Sequence, residues 1–158
     1  MRTAGIIGAA VLATAFLCGC GQKAVAADQP TVWKTDYDAA LKQAEAENKY
    51  VLVDFSGSDW CGWCIKLEKE VFSQSEFVDY AKDNLICVLL DFPRRKELPK
   101  AQKDANQALL DRYQVQGFPT VLILNPQARV IKRTGYQPDG PVKYVEFIKG
   151  VIAANPAK

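Results

Sequence analysis

Apolar positions recur along this chain with two periods. Residues 50–55 (YVLVDF) form an apolar, β-branched run broken by one acid, with the length of a strand buried on both faces. Residues 85–92 (LICVLLDF) repeat the pattern and stop at Pro93, which cannot donate to a ladder. Other segments change to a helical period. From Asp36 onward Tyr37, Leu41, Ala44 and Asn48 fall near one face, with Thr35 or Asp36 available as N-cap. A second helix begins at Cys61 and Cys64 and runs through Phe72, followed by a further helical piece to about Lys82. Residues 99–113 place Ala105, Leu109 and Tyr113 at spacings of four. Residues 120–124 and 129–133 read as a hairpin about Asn125-Pro126-Gln127, and residues 141–153 as a closing helix with Val145, Ile148 and Ile152 inward. Residues 32–34 offer an opening strand. Strands alternating with helices predict an α/β domain with a mainly parallel central sheet, made mixed by the hairpin and covered by helices on both faces.

The N-terminus follows a different rule. Arg2 precedes an apolar run over residues 6–17 that is too short to span a bilayer and reads as a signal segment, so export is expected. Two cleavage readings compete. Leu17-Cys18-Gly19-Cys20 resembles a bacterial lipobox, with cleavage before Cys20 and lipid on that cysteine, although Cys18 is an unusual occupant of its position. The alternative is cleavage after Ala27, where Val25 and Ala27 satisfy the small-residue rule. Residues 21–32 have no hydrophobic period and read as a tether, about 40 Å long at full extension.

Composition narrows the function classes. The 158 residues are 49% hydrophobic and 24% charged, as expected of one globular domain. Residues 1–27 hold Arg2, Lys23 and no acid, so the remainder carries 18 basic and 18 acidic residues. A neutral domain argues against a nucleic-acid partner. The one basic cluster, Arg94-Arg95-Lys96, reads as a solvated loop.

The chemistry lies in SGSDWCGWCIKLEKEVF, residues 56–72, where Cys61 and Cys64 stand three apart at a predicted helix start. The helix N-terminus favours an anion at Cys61 and lowers its pKa, making it the attacking thiolate. Cys64, one turn on, shares that face, can close a disulfide with Cys61 and resolves mixed disulfides. A structural staple closing so short a loop would restrict the unfolded chain little. A zinc site needs about four ligands; after cleavage of the signal segment the chain has no histidine and only the distant Cys87, with Cys20 if cleavage precedes it, to add, so no metal is expected. Covalent haem attachment would require histidine where Ile65 stands.

Three motifs in register carry a resemblance. Val51-Leu52-Val53-Asp54-Phe55, Trp60-Cys61-Gly62-Trp63-Cys64, and Gly117-Phe118-Pro119-Thr120 with Gly135 resemble thioredoxin landmarks in thioredoxin order, across about residues 33–152. The chain is similar to exported bacterial thioredoxin-like proteins, and also to the reducing domain of the transmembrane reductant conductor. The resemblance implies a thioredoxin fold over residues 28–158, behind a signal segment and start of tether over residues 1–27. It implies Cys61 as nucleophile, Cys64 as resolving thiol, and Asp54 as the buried group exchanging a proton with Cys64. Pro119 matches a cis-proline facing the disulfide, and Phe118 would offer its backbone to a substrate strand. Trp60, Gly62 and Trp63 would form the docking rim, with core packing the competing role for Trp60 and a trans bond the competing state of Pro119.

The expected activity is thiol-disulfide exchange without a cofactor, reducing or isomerising disulfides of exported proteins, with electrons from a membrane reductant. A noncatalytic peptide-binding module and a disulfide-forming oxidase are the alternatives. Three departures stand out: Gly62-Trp63 occupies the centre of the pair, one extra residue separates Asp54 from Trp60, and the crossover between Asp91 and Pro119 is long. Cys87 matches the place of a thioredoxin lysine beside the buried aspartate, so desolvation is expected to raise the Asp54 pKa while Cys87 stays buried and unreactive.

Overall fold

The computed structural model describes residues 32–157; the signal segment, Cys20 and most of the tether lie outside them. In chain order the elements are β1 (Trp33–Lys34), α1 (Tyr37–Glu47), β2 (Tyr50–Ser56), α2 (Gly62–Leu67), a π-helical continuation (Glu68–Phe72), α3 (Ser75–Asn84) and β3 (Leu85–Asp91). After them come α4 (Lys100–Arg112), β4 (Thr120–Leu124), β5 (Val130–Thr134) and α5 (Gly140–Ala154). The sheet has the order β1-β3-β2-β4-β5. β1, β3 and β2 run parallel, and β4 is antiparallel to both of its neighbours, β2 and β5, so the sheet is mixed.

Every residue of β2 is buried, because helices cover both faces and strands pair with both edges. Alternation divides the core in two. Leu52, Cys87, Val121 and Ile123 pack beneath Leu67, Phe72, Phe77, Tyr144 and Ile148. Val51, Val53, Phe55, Val88 and Leu122 pack with Tyr37, Ala40 and Ala44 of α1. Asp54 belongs by alternation to the Leu52 face, the one that carries α2.

Local signals place the helices. The Asp36 carboxylate accepts the Ala39 N–H at 2.9 Å and starts α1. Asn48 lies outside the inner face expected of it: it ends α1 in the left-handed region at φ 51°, where its N–H reaches the last carbonyls. In α4 the sequence points to Ala105, yet Ala105 is exposed and the buried position is Asn106. Its amide donates to the Asp91 carbonyl at 2.9 Å and accepts from Gln102 at 2.8 Å, which is how a polar side chain comes to face the sheet. The hairpin turn is held by Asn125, whose side chain accepts the Arg129 N–H at 2.9 Å, while Ala128 takes φ 60°.

Phe72, 1% exposed, is touched by the rings of Trp33, Phe77 and Tyr144 where the π-helical turn meets the sheet. Phe72→Ala is expected to lower stability by about 3–5 kcal/mol, read as a lower denaturant midpoint at unchanged slope.

Candidate active site

The loop leaving β2 is zipped to the loop leaving β3. Phe92 N–H bonds the Ser56 carbonyl at 2.8 Å, extending the ladder by one step. The buried Asp91 carboxylate then accepts the Ser58 N–H at 3.0 Å and the Ser58 hydroxyl at 2.7 Å, with Lys96 at 3.5 Å. The Asp59 carboxylate accepts three successive N–H groups, from Arg94, Arg95 and Lys96, at 2.9, 2.7 and 3.0 Å, and these bonds hold its pKa below the usual carboxylate range. Trp60 completes the seam by donating its indole N–H to the Phe92 carbonyl at 2.7 Å. A Cβ at Gly57 would lie 2.6 Å from the Trp60 ring, so only glycine fits under that indole.

This seam delivers Cys61 to the start of α2 as its N-cap, with the Cys64 N–H donating to Cys61 Sγ at 3.3 Å. A sulfur held as N-cap acceptor receives a hydrogen bond and the positive end of the helix together, and both favour thiolate over thiol. Cys61 and Cys64 are joined as a disulfide with Cα atoms 5.2 Å apart, and the Gly57 N–H reaches Cys64 Sγ at 3.5 Å. Both cysteines are buried, whereas Gly62 is exposed and Trp63 is 58% exposed.

Behind the pair, Asp54 and Cys64 line one cavity of about 380 Å³ together with Ser56, Glu68 and Leu89. Asp54 is buried and its Oδ1 has no hydrogen-bond partner among the described residues. Burial, reinforced by the like charges of Glu68 and Asp91, raises its pKa to about 8. Glu68 is exposed as a residue, yet partial desolvation of its carboxyl raises its pKa as well. The register corrects one expected neighbour: Leu89 sits beside Asp54, while Cys87 pairs with Leu52 one step down the same face. Desolvation of Asp54 therefore comes from its position in the sheet. Cys87 is a buried free thiol whose pKa burial pushes up.

On the sheet side, the Phe118–Pro119 peptide is cis and leads directly into β4, whose Thr120 lies opposite Phe55 near the C-terminal end of β2. Gly135 packs on this segment: a Cβ there would lie 2.9 Å from the Pro119 carbonyl oxygen. Phe118 meets Trp60 edge-on at 5.8 Å and Phe92 at 5.2 Å. Trp60 is thus half-buried and held from three sides, combining the packing and rim positions that the sequence left open. Trp63 leans on Tyr136 at 5.2 Å, and the Tyr136 hydroxyl donates to Glu70 at 2.6 Å.

Sequence reasoning found the pair, Asp54 and the Phe118–Pro119 segment; it missed Asp59, Asp91, Glu68 and Tyr136. Glu68 was accessible from its spacing, four residues after Cys64. The contacts of Asp59 and Asp91 cross 33 to 37 residues and leave no local signal. Among the described residues no group of three or more histidine, cysteine or acidic side chains could hold a metal ion.

A Cys-x-x-Cys pair capping a helix, set at the end of a central strand and beside a cis-proline segment, defines the class of thioredoxin-fold thiol-disulfide oxidoreductases. The family model of the thioredoxin-like domain matches residues 37–146. The chain belongs to the thioredoxin-like family. It is 34% identical over 120 residues to the disulfide bond reductase DsbH of Chlamydia pneumoniae, covering 76% of this chain and 72% of that one. It is 32% identical over 104 residues to the thioredoxin-related protein DsbJ of the same organism, covering 66% of this chain but 30% of that protein. A solved DsbH oxidoreductase superimposes with a TM-score of 0.73 at 34% identity, over 77% of this chain and 83% of the other.

The raised pKa of Asp54 gives stability a pH dependence of defined sign. Between the unfolded value near 4 and the folded value of about 8, the folded state holds the extra proton, so stability is full below pH 4 and falls as pH rises through 8. Asp54→Asn removes this group, and across that window the native protein should lose on the order of a few kcal/mol more stability than the variant. Urea denaturation of both oxidised proteins at pH 4 to 9 checks it; parallel curves would mean that Asp54 titrates normally.

Proposed function

We propose that the protein is an exported thiol-disulfide oxidoreductase that reduces or isomerises disulfides of other exported proteins through Cys61 and Cys64. The observation that carries this reading is the capping geometry: one sulfur accepts the helix N–H of Cys64 and is bonded to its partner one turn on. In the reducing direction the Cys61 thiolate attacks one sulfur of a substrate disulfide, and the other substrate sulfur leaves as thiolate. Cys64, deprotonated, then attacks Cys61 Sγ in the mixed disulfide. This closes the Cys61–Cys64 disulfide, releases the second substrate thiolate and transfers two electrons in all.

Asp54 serves this step as proton carrier. With a pKa of about 8 and a place in the same cavity as Cys64, it holds a proton near neutral pH that it can give to the Cys64 thiolate when the pair is opened, and the carboxylate left behind can take it back as Cys64 attacks. Trp63, Gly62 and Phe118 present the surface on which an extended partner segment docks, with the backbone before Pro119 available for strand addition. The chlamydial relative is a disulfide bond reductase, which supports the reducing direction over the oxidising one. A membrane reductant is the proposed donor of electrons to the oxidised pair.

The proposed place of action is the periplasm. The apolar segment over residues 6–17 supports export, and Cys20 supports a lipid anchor, with the following residues as tether. Among the described residues no helix is long and apolar enough to cross a membrane.

Insulin reduction by the full chain tests the activity. Cys61→Ser is expected to abolish it, and Cys64→Ser to accumulate mixed disulfides linked through Cys61, identified by mass spectrometry. Adducts on Cys64 in the Cys61→Ser variant, with none on Cys61 in the Cys64→Ser variant, would reverse the two roles. A full chain inactive towards insulin, with its pair reduced at the start, would instead favour a noncatalytic docking module. For the anchor, Cys20→Ser should move the protein from the membrane to the soluble fraction; a native N-terminus at Asp28 would exclude lipidation.

A further inference from the structure

The basic triplet Arg94-Arg95-Lys96 is singled out by the sequence, and the exchange chemistry leaves it unused. The fold brings it to the catalytic edge. Its three backbone N–H groups all bind Asp59, the residue two before Cys61, so the loop is fixed to the active-site loop at its backbone while all three side chains remain exposed. The Arg94 guanidinium lies 3.7 Å from the centre of the Trp60 ring, stacked on the residue that precedes Cys61.

Cations outnumber anions in this region, the triplet's three against Asp59 and Asp91. The Asp59 carboxylate oxygens accept backbone donors while its charge acts on Arg95, and Asp91 is buried against Ser58 and Lys96. Among the described residues no ion pair within 4.0 Å and no side-chain hydrogen bond to an acid engages Arg94 or Arg95. The cation on the other side of the pair is different: Lys66 is held between Trp63 and Tyr136, at 5.3 and 5.0 Å, with Glu70 at 3.9 Å. One flank of the disulfide is therefore aromatic with its charge matched, and the other presents two exposed guanidinium groups with hydrogen-bond donors to spare on a pinned backbone.

We propose that this loop is a specificity element of the exchange face, favouring cysteine-bearing partner segments that carry aspartate or glutamate beside the reactive sulfur. Guanidinium presents planar, paired donors that fit a carboxylate, and stacking on Trp60 holds Arg94 oriented before a partner arrives. The favourable potential acts on encounter with the partner and adds to the backbone docking of the cis-proline segment. The inference rests on the exchange reading above and names the partner chemistry of the same site.

The test uses the reduced full chain and three synthetic peptides. Each has one internal disulfide and is identical apart from glutamate, glutamine or lysine at the two positions flanking one cysteine. The second-order rate of peptide reduction should fall in the order glutamate, glutamine, lysine, with about three- to tenfold between the extremes at low ionic strength. The spread should shrink towards one in about 0.5 M salt. Arg94→Gln/Arg95→Gln should flatten it, and Arg94→Glu/Arg95→Glu should reverse it. The ratio of rates within one preparation does not depend on how much protein is folded, so a destabilised variant still reports. Equal rates for the three peptides in the native protein, or an unchanged spread in the double variant, would overturn the proposal and leave the exchange function standing. If no peptide were reduced, the glutamine peptide included, the exchange reading would fail and this inference with it.

Discussion

Strand β2 is buried on both faces and hydrogen-bonded along both edges, and the rest of the molecule is arranged by what that strand can and cannot do. It cannot bend to meet a substrate, so the residues beyond its end must supply the chemistry from fixed positions. The seam from Ser58 to Trp60 achieves this with side chains, where a loop without them would have only solvent as partner. Cys61 thus enters α2 already placed as its cap, and catalysis inherits the rigidity of the sheet.

The same burial sets the electrostatics. A carboxyl placed in a double-sided strand loses hydration and finds no partner for Oδ1, so the sheet holds it close to neutrality at physiological pH. An apolar residue would pack at this position with less penalty. Keeping an acid there costs stability, a conflict between local rule and fold of the kind that marks functional positions, and it is the feature on which the proposed proton transfer to Cys64 rests. Asp91, one strand over, is also buried but is satisfied by Ser58 and Lys96, which ties the two loops together.

Much of this was legible in the sequence because it rests on period and spacing. The two buried strands announce themselves as apolar runs, and the cysteine pair, Asp54 and the Phe118–Pro119 segment fall in thioredoxin order. What escaped depends on contacts between distant residues. Asn106 was passed over for Ala105 because an amide reads as a surface residue until the Asp91 carbonyl is found facing it. Asn48 fitted the helical period of α1, but its tolerance of positive φ made it the terminator. Cys87 sat at the family's lysine by alignment, whereas the register gave Leu89 as the neighbour of Asp54, since an alignment fixes order and only pairing fixes adjacency.

The fit of Trp60 over Gly57 reaches beyond this protein. The indole occupies the volume of a missing side chain, donates its N–H to the Phe92 carbonyl and carries Arg94 on its ring. The two loops are therefore one interlocked part made from separate stretches of sequence. A chimera that exchanges residues 56–64 while keeping the native crossover would leave the Phe92 carbonyl and the Arg94 guanidinium without the indole they meet wherever the incoming segment lacks one. For anyone recombining such domains, the smallest transplantable module is the pair of loops.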